Sequence, residues 1–121
     1  MDQPTAPSSL EIGLLGRFRI VIDGVAVEER AWTRRKSKTL VKLMALQPRH
    51  QMHREQVMDY LWPEQEPEAA LNNLHKTIYA ARRALEPGLK AGTESQFIVT
   101  QEQQLILRAP GRLWIDVEEF E

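Results

Sequence analysis

PEAALNNLHKTIYAARRAL, residues 67–85, is the stretch whose reading decides the fold. At about 100° per residue, Leu71, Leu74, Ile78, Ala81 and Leu85 fall on one side of a helix, and Asn72, Asn73, Lys76, Ala80 and Arg83 cluster opposite them. Pro67 suits the first helical position and Glu68 suits the positive end of the helix dipole, so the spacing predicts a helix across the whole stretch. Its polar side carries groups that read nucleic acid. Asparagine pairs with the major-groove edge of adenine, arginine with guanine, and lysine neutralises phosphates. A small residue there, Ala80, lets a backbone come close. An ordinary amphipathic helix with a solvated face has the same pattern, so the flanking sequence has to separate the two readings.

Upstream, Arg54 to Leu61 forms a shorter helix that buries Val57, Met58, Leu61 and Trp62 and stops at Pro63, with His53 placed to cap it. The connector PEQE, residues 63–66, joins two helices of which the second is longer and amide-rich, the layout of a helix-turn-helix. A further helix runs from an N-cap at Thr33 to about Leu46, burying Leu40, Leu43 and Met44, and Pro48 ends it. Its first turn holds Arg34, Arg35, Lys36 and Lys38 at the end where the helix dipole disfavours cations. Residues placed against that preference point to an external anion, and phosphate is the natural one.

Charge is segregated along the chain. The 121 residues carry a net charge of −1, yet residues 30–54 contain no Asp or Glu and include Arg30, Arg34, Arg35, Lys36, Lys38, Lys42, Arg49 and Arg54, half of the 16 basic residues. A local basic field attracts a polyanion even on a nearly neutral protein. The absence of cysteine removes disulfides, thiolate nucleophiles and Cys-based zinc sites. His50, His53 and His75 form no metal-ligand spacing with carboxylates, and no phosphate loop, nucleophile elbow or paired-carboxylate motif is present. Neither catalysis nor a metal or cofactor is expected. There is no apolar run of membrane-spanning length and no signal-peptide pattern, so the expected location is cytoplasmic.

LEIGLLGRFRIVIDGVAVEER, residues 10–30, alternates and carries an Asp23-Gly24 turn signal, which predicts short antiparallel strands near 10–15, 18–22 and 25–27. After Leu85, a turn-rich connector leads to FIVT (97–100) and LILR (105–108), which flank the polar QEQQ (101–104) and predict a hairpin, a wing beside the helices. Trp32 and Trp62 have apolar neighbours and read as core. MDQPTAPSS, residues 1–9, reads as a flexible leader, residues 10–110 as the domain, and RLWIDVEEFE as a linker or the start of a truncated further domain over 111–121.

This order of elements resembles the winged-helix DNA-binding domain of OmpR/PhoB-type response regulators. The wording is closer still to the N-terminal domain of bacterial SARP/AfsR-type activators, through LLGRFRIVIDG, RRKSKTLVKLMAL, HREQVMDYLWP and EAALNNLHKTIYAARRAL, with WIDVEEF similar to the junction into their bacterial transcriptional activation domain. The resemblance implies an α+β winged helix-turn-helix: an N-terminal antiparallel sheet, three helices and a C-terminal β-hairpin wing. It implies sequence-specific binding of double-stranded promoter DNA in transcription regulation, with the third helix in the major groove. Contact with RNA polymerase and binding of tandem copies to direct repeats are further expectations from the same source. Carried onto this chain, base contacts fall on Asn72, Asn73, Lys76, Thr77 and Ala80, and phosphate contacts on Arg34, Arg35, Lys36, Lys38, Arg54, Tyr79 and Arg83. Gln103 and Gln104 stand at the wing, whose lack of cations predicts a weak contact there. The chain has no phosphoacceptor receiver segment. The alternative function is a winged helix that holds a partner protein through its third helix or its sheet and touches no DNA.

Overall fold

The computed structural model describes residues 8–90 and 92–120. Strands β1 (Leu10–Gly13) and β2 (Arg19–Ile22) pair antiparallel with Ile12 opposite Ile20, and β3 (Val25–Ala26) follows through the Asp23-Gly24 turn. Both turn residues have positive φ, 49° and 84°, the conformation that lets a two-residue loop match the twist of its strands. Helix α1 (Arg35–Ala45) comes next, then a short strand β4 (Gln51–His53), helix α2 (Arg54–Leu61) and helix α3 (Pro67–Leu85). The hairpin β5 (Ile98–Gln101) and β6 (Gln104–Leu107) leads to a last strand, β7 (Leu113–Ile115). The architecture is α+β, three helices with two small sheets, in strand orders β3-β2-β1-β7 and β4-β6-β5.

One core joins these parts. Leu10, Ile12 and Ile20 of the first sheet, Leu40, Val41 and Met44 of α1, Val57 and Leu61 of α2, and Leu74, Ile78 and Leu85 of α3 belong to a single buried cluster. Phe97, Ile98, Leu105 and Leu107 close it from the hairpin. The expected stripe of α3 is therefore the core stripe, with Leu71 packed at its margin, half-buried.

Several expectations need correction. The first helix is not capped by Thr33: Arg34 holds the cap position without a side-chain bond, and the buried Ser37 hydroxyl donates back to the Arg34 carbonyl instead. β4 was not expected. Three residues between helices carry too little pattern to read as a strand, and β4 exists because β6 offers a partner, with Met52 opposite Leu105. The segment after residue 110 also carries a strand that was not expected. β7 pairs parallel to β1, Leu10 with Leu113 and Ile12 with Ile115, so the segment read as a linker completes the first sheet. Asp116, at its end, accepts the Leu14 and Leu15 amides at 2.8 and 3.0 Å and ties β7 to the end of β1. The leader expected over residues 1–9 lies outside the described residues except for Ser8 and Ser9. Those two are fastened: Ser9 donates to the Asp23 carboxylate at 2.8 Å, and the Ser8 carbonyl accepts Gly111 N–H at 2.8 Å.

Candidate nucleic-acid interface

Helix α3 lies against α1, the helix with which it packs most extensively. Its buried residues include Thr77, Ala80, Ala81 and Ala84, and side chains this small allow two helix axes to approach closely. The presented face is therefore rotated from the one read off the sequence. Thr77 is 0% and Ala80 5% exposed, so neither stands on it. The small residue that promised close approach of a ligand instead serves the protein's own packing. Asn73 is half-buried, and its side-chain nitrogen donates to Gln65 Oε1 at 2.6 Å, pinning the connector between α2 and α3. Exposed along α3 are Asn72, Lys76, Tyr79 and Arg83, a ridge at i, i+4, i+7 and i+11, with His75 beside it. Tyr79 is 55% exposed, and the Arg83 guanidinium stands 6.0 Å from its ring centre while donating to the Leu89 carbonyl at 2.9 Å.

The cations of the first turn of α1 divide in two. Lys36 donates to the Leu61 carbonyl at the end of α2 and lies 5.2 Å from the centre of the Trp62 ring, so it closes the protein's own helix. Lys38 pairs with Glu29, whose carboxyl the Lys38 hydrogen bond holds below its ordinary pKa. Lys42 lies over the Phe18 ring at 4.8 Å. Within the fold, then, Glu29 supplies the anion for Lys38, while Lys36 meets a neutral carbonyl and an aromatic ring. Arg34 and Arg35 are exposed, and their side chains have no partner among the described residues.

Two grooves flank the ridge. One, of about 520 Å³, runs between α3 and the start of α1 and is lined by Thr33, Arg34, Lys76, Tyr79 and Arg83, with Ala80 as its floor. The other, also about 520 Å³, runs between α3 and the hairpin tip and is lined by Arg54, His75, Tyr79, Arg82, Thr100 and Gln103. Arg54 opens α2, and its backbone N–H donates to the Gln103 carbonyl at 2.9 Å, which fixes the hairpin tip relative to the helices. Arg82 donates through Nε to the Ile98 carbonyl at 3.1 Å. Burial lowers its pKa, with Glu86 opposing, but a guanidinium remains charged at neutral pH.

The hairpin forms, with each strand shifted one residue toward the tip from the expected 97–100 and 105–108. Its loop is only Glu102 and Gln103, both with positive φ, and Gln101 pairs with Gln104. Gln103 is exposed at the tip, whereas Gln104 is half-buried in the ladder opposite His53. His53 caps α2 as expected, its Nδ1 accepting Glu55 N–H at 3.1 Å. Trp62 is buried, and Trp32 is half-buried with its ring centre 6.2 Å from that of Phe18. His75 and Arg82 were not singled out for the interface by their sequence. They share the i, i+4, i+7 row of Tyr79, a signal visible once the helix is centred on Asn72 rather than on Asn73.

Among the described residues, no group of three or more His, Asp or Glu is arranged to hold a metal ion, and no helix is long and apolar enough to cross a membrane. No protein-family model, curated protein or solved structure matches the chain.

Proposed function

We propose that this domain is a winged helix that binds double-stranded DNA sequence-specifically in transcription regulation, with the outer ridge of α3 in the major groove. The observation that carries the reading is that ridge: Asn72, Lys76, Tyr79 and Arg83 stand exposed on the longest helix, flanked by Arg34 on one side and the hairpin on the other. A helix about 10–12 Å across with its side chains fits the major groove, about 12 Å wide. The order α1, β4, α2, α3 and hairpin also supports it, since it sets a helix pair beside a two-stranded projection. In this reading Asn72 and Lys76 face base edges, while Arg34, Arg35 and Arg83 neutralise phosphates. The hairpin, whose tip is Glu102 and Gln103, contributes little to discrimination. Promoter DNA, a polymerase contact, tandem copies on direct repeats and a cytoplasmic, non-enzymatic role belong to the same proposal.

Equilibrium binding to duplexes selected from a random pool, measured at 50 and 200 mM salt, tests it. Binding should weaken steeply with salt, because neutralised phosphates release condensed counterions. A failure to enrich any duplex, together with salt-insensitive capture of a protein partner, would replace the proposal with the protein-interaction alternative.

A further inference from the structure

The groove between α3 and the hairpin tip brings two guanidinium groups from separate elements to one cavity, Arg54 from the start of α2 and Arg82 from α3. Converging like charges repel; Glu86 offsets Arg82 in part, whereas Arg54 forms no ion pair among the described residues. Glu102 is the single acid lining the groove, and it forms no ion pair with either arginine among the described residues. Arg54 Nε is shut off from solvent and has no hydrogen-bond partner among the described residues. A donor in that state destabilises the fold unless an acceptor reaches it. Around these cations stand further polar groups, the His75 ring, the Tyr79 hydroxyl and Thr100, while the floor is apolar, formed by Leu74, Ile78 and Leu105. The lining thus combines two cationic residues with Gln101, Glu102 and Gln103, whose side chains can accept, and no acceptor among the described residues reaches Arg54 Nε.

We infer that this groove is a phosphate site, in which Arg54 and Arg82 hold one phosphate group from two directions. A tetrahedral phosphate offers oxygens to two forks at once, whereas a planar carboxylate satisfies one. The apolar floor suits the carbon side of a sugar. The phosphate belongs either to a duplex backbone or to a free anion, and only the first source rests on the DNA reading above. In the duplex case, the strand bordering the groove that receives α3 passes between the helix and the hairpin, so the site anchors without reading sequence.

Titration with inorganic phosphate against sodium chloride of matched ionic strength, followed through backbone amide resonances, tests the site in the unmodified protein. Saturable shifts at His75 and Gln103 are expected. In Arg54→Gln the apparent phosphate affinity should fall at least about tenfold, as expected on loss of a charge-assisted fork, and Arg54→Lys, which keeps the charge but loses the fork, should fall between. For duplex binding, Arg54→Gln should reduce the salt slope by about one unit. Phosphate saturation with no duplex binding, or with an unchanged slope, assigns the site to a free anion and keeps the inference. Duplex binding without phosphate saturation and with an unchanged slope overturns it and leaves the DNA reading standing.

Discussion

Lys36 and Arg35 are neighbours of like charge with opposite employment. The Lys36 ammonium satisfies the last carbonyl of α2 and lies over Trp62, whereas the Arg35 side chain is exposed and has no partner among the described residues. Lys36→Met should lower stability by about 0.5–1.5 kcal/mol, the net worth of one hydrogen bond, and leave the salt dependence of DNA binding as it was. Arg35→Met should leave stability unchanged and reduce the salt slope by about one unit. Chemical denaturation and salt titration of the two variants separate these roles, and an exchange of the two phenotypes would reverse the assignment. Thr77 gives a second contrast. Its hydroxyl is buried without a partner among the described residues, so Thr77→Val should raise stability by about 1 kcal/mol and leave duplex affinity alone. A loss of affinity in that variant would put Thr77 back on the binding face.

At the scale of elements, α3 holds the helices, both sheets and the presented ridge in register through one apolar stripe. Leu74 is almost wholly buried at its centre, and Leu74→Ala should cost about 2–5 kcal/mol in thermal or chemical unfolding. An unchanged melting point would mean that the stripe does not face the core. This stripe was legible because Leu71, Leu74, Ile78 and Leu85 repeat at helical spacing over about four turns, more than periodicity needs. The polar face was legible only in outline. Alanine and threonine suit a helix–helix contact as well as a ligand contact, so the pattern alone did not say that Thr77 and Ala80 turn inward, or that Asn73 lies half-buried against Gln65. The partners within the basic cluster were not legible for a related reason: whether Lys36 reaches the Leu61 carbonyl depends on how α1 meets α2, and local sequence does not encode that meeting. β4 and β7 were missed because three-residue strands are defined by their partners.

For the whole molecule, the two chain ends of the domain close on each other. β7 docks along β1, and Asp116 accepts the amides of Leu14 and Leu15 across more than 100 residues of sequence. Burial acts to raise the Asp116 pKa, but the amides of Leu14, Leu15 and Val117, with Arg19 nearby, outweigh it and hold the carboxyl below its ordinary 3.8. An acid with a lowered folded pKa contributes stability that is fully present above the unfolded value and is lost as pH falls through the folded one. Wild type should therefore exceed Asp116→Asn in stability at neutral pH, and the gap should close on acidification below pH 3.8. A gap that does not vary with pH would remove the carboxylate charge from the clasp.

The central claim is that the outer ridge of α3 reads base pairs, with Asn72 rather than Asn73 facing them. The direct measurement is the affinity of wild type, Asn72→Ala and Asn73→Ala for a selected duplex and for a scrambled duplex of the same length and composition. Asn72→Ala should cost about 1–3 kcal/mol on the selected duplex and far less on the scrambled one, because a lost base contact removes discrimination and a lost phosphate contact does not. Asn73→Ala should affect both duplexes alike and modestly, through the loosened connector at Gln65. Equal losses on both duplexes for Asn72→Ala, or a selective loss for Asn73→Ala alone, would contradict the orientation of α3 on which the account depends.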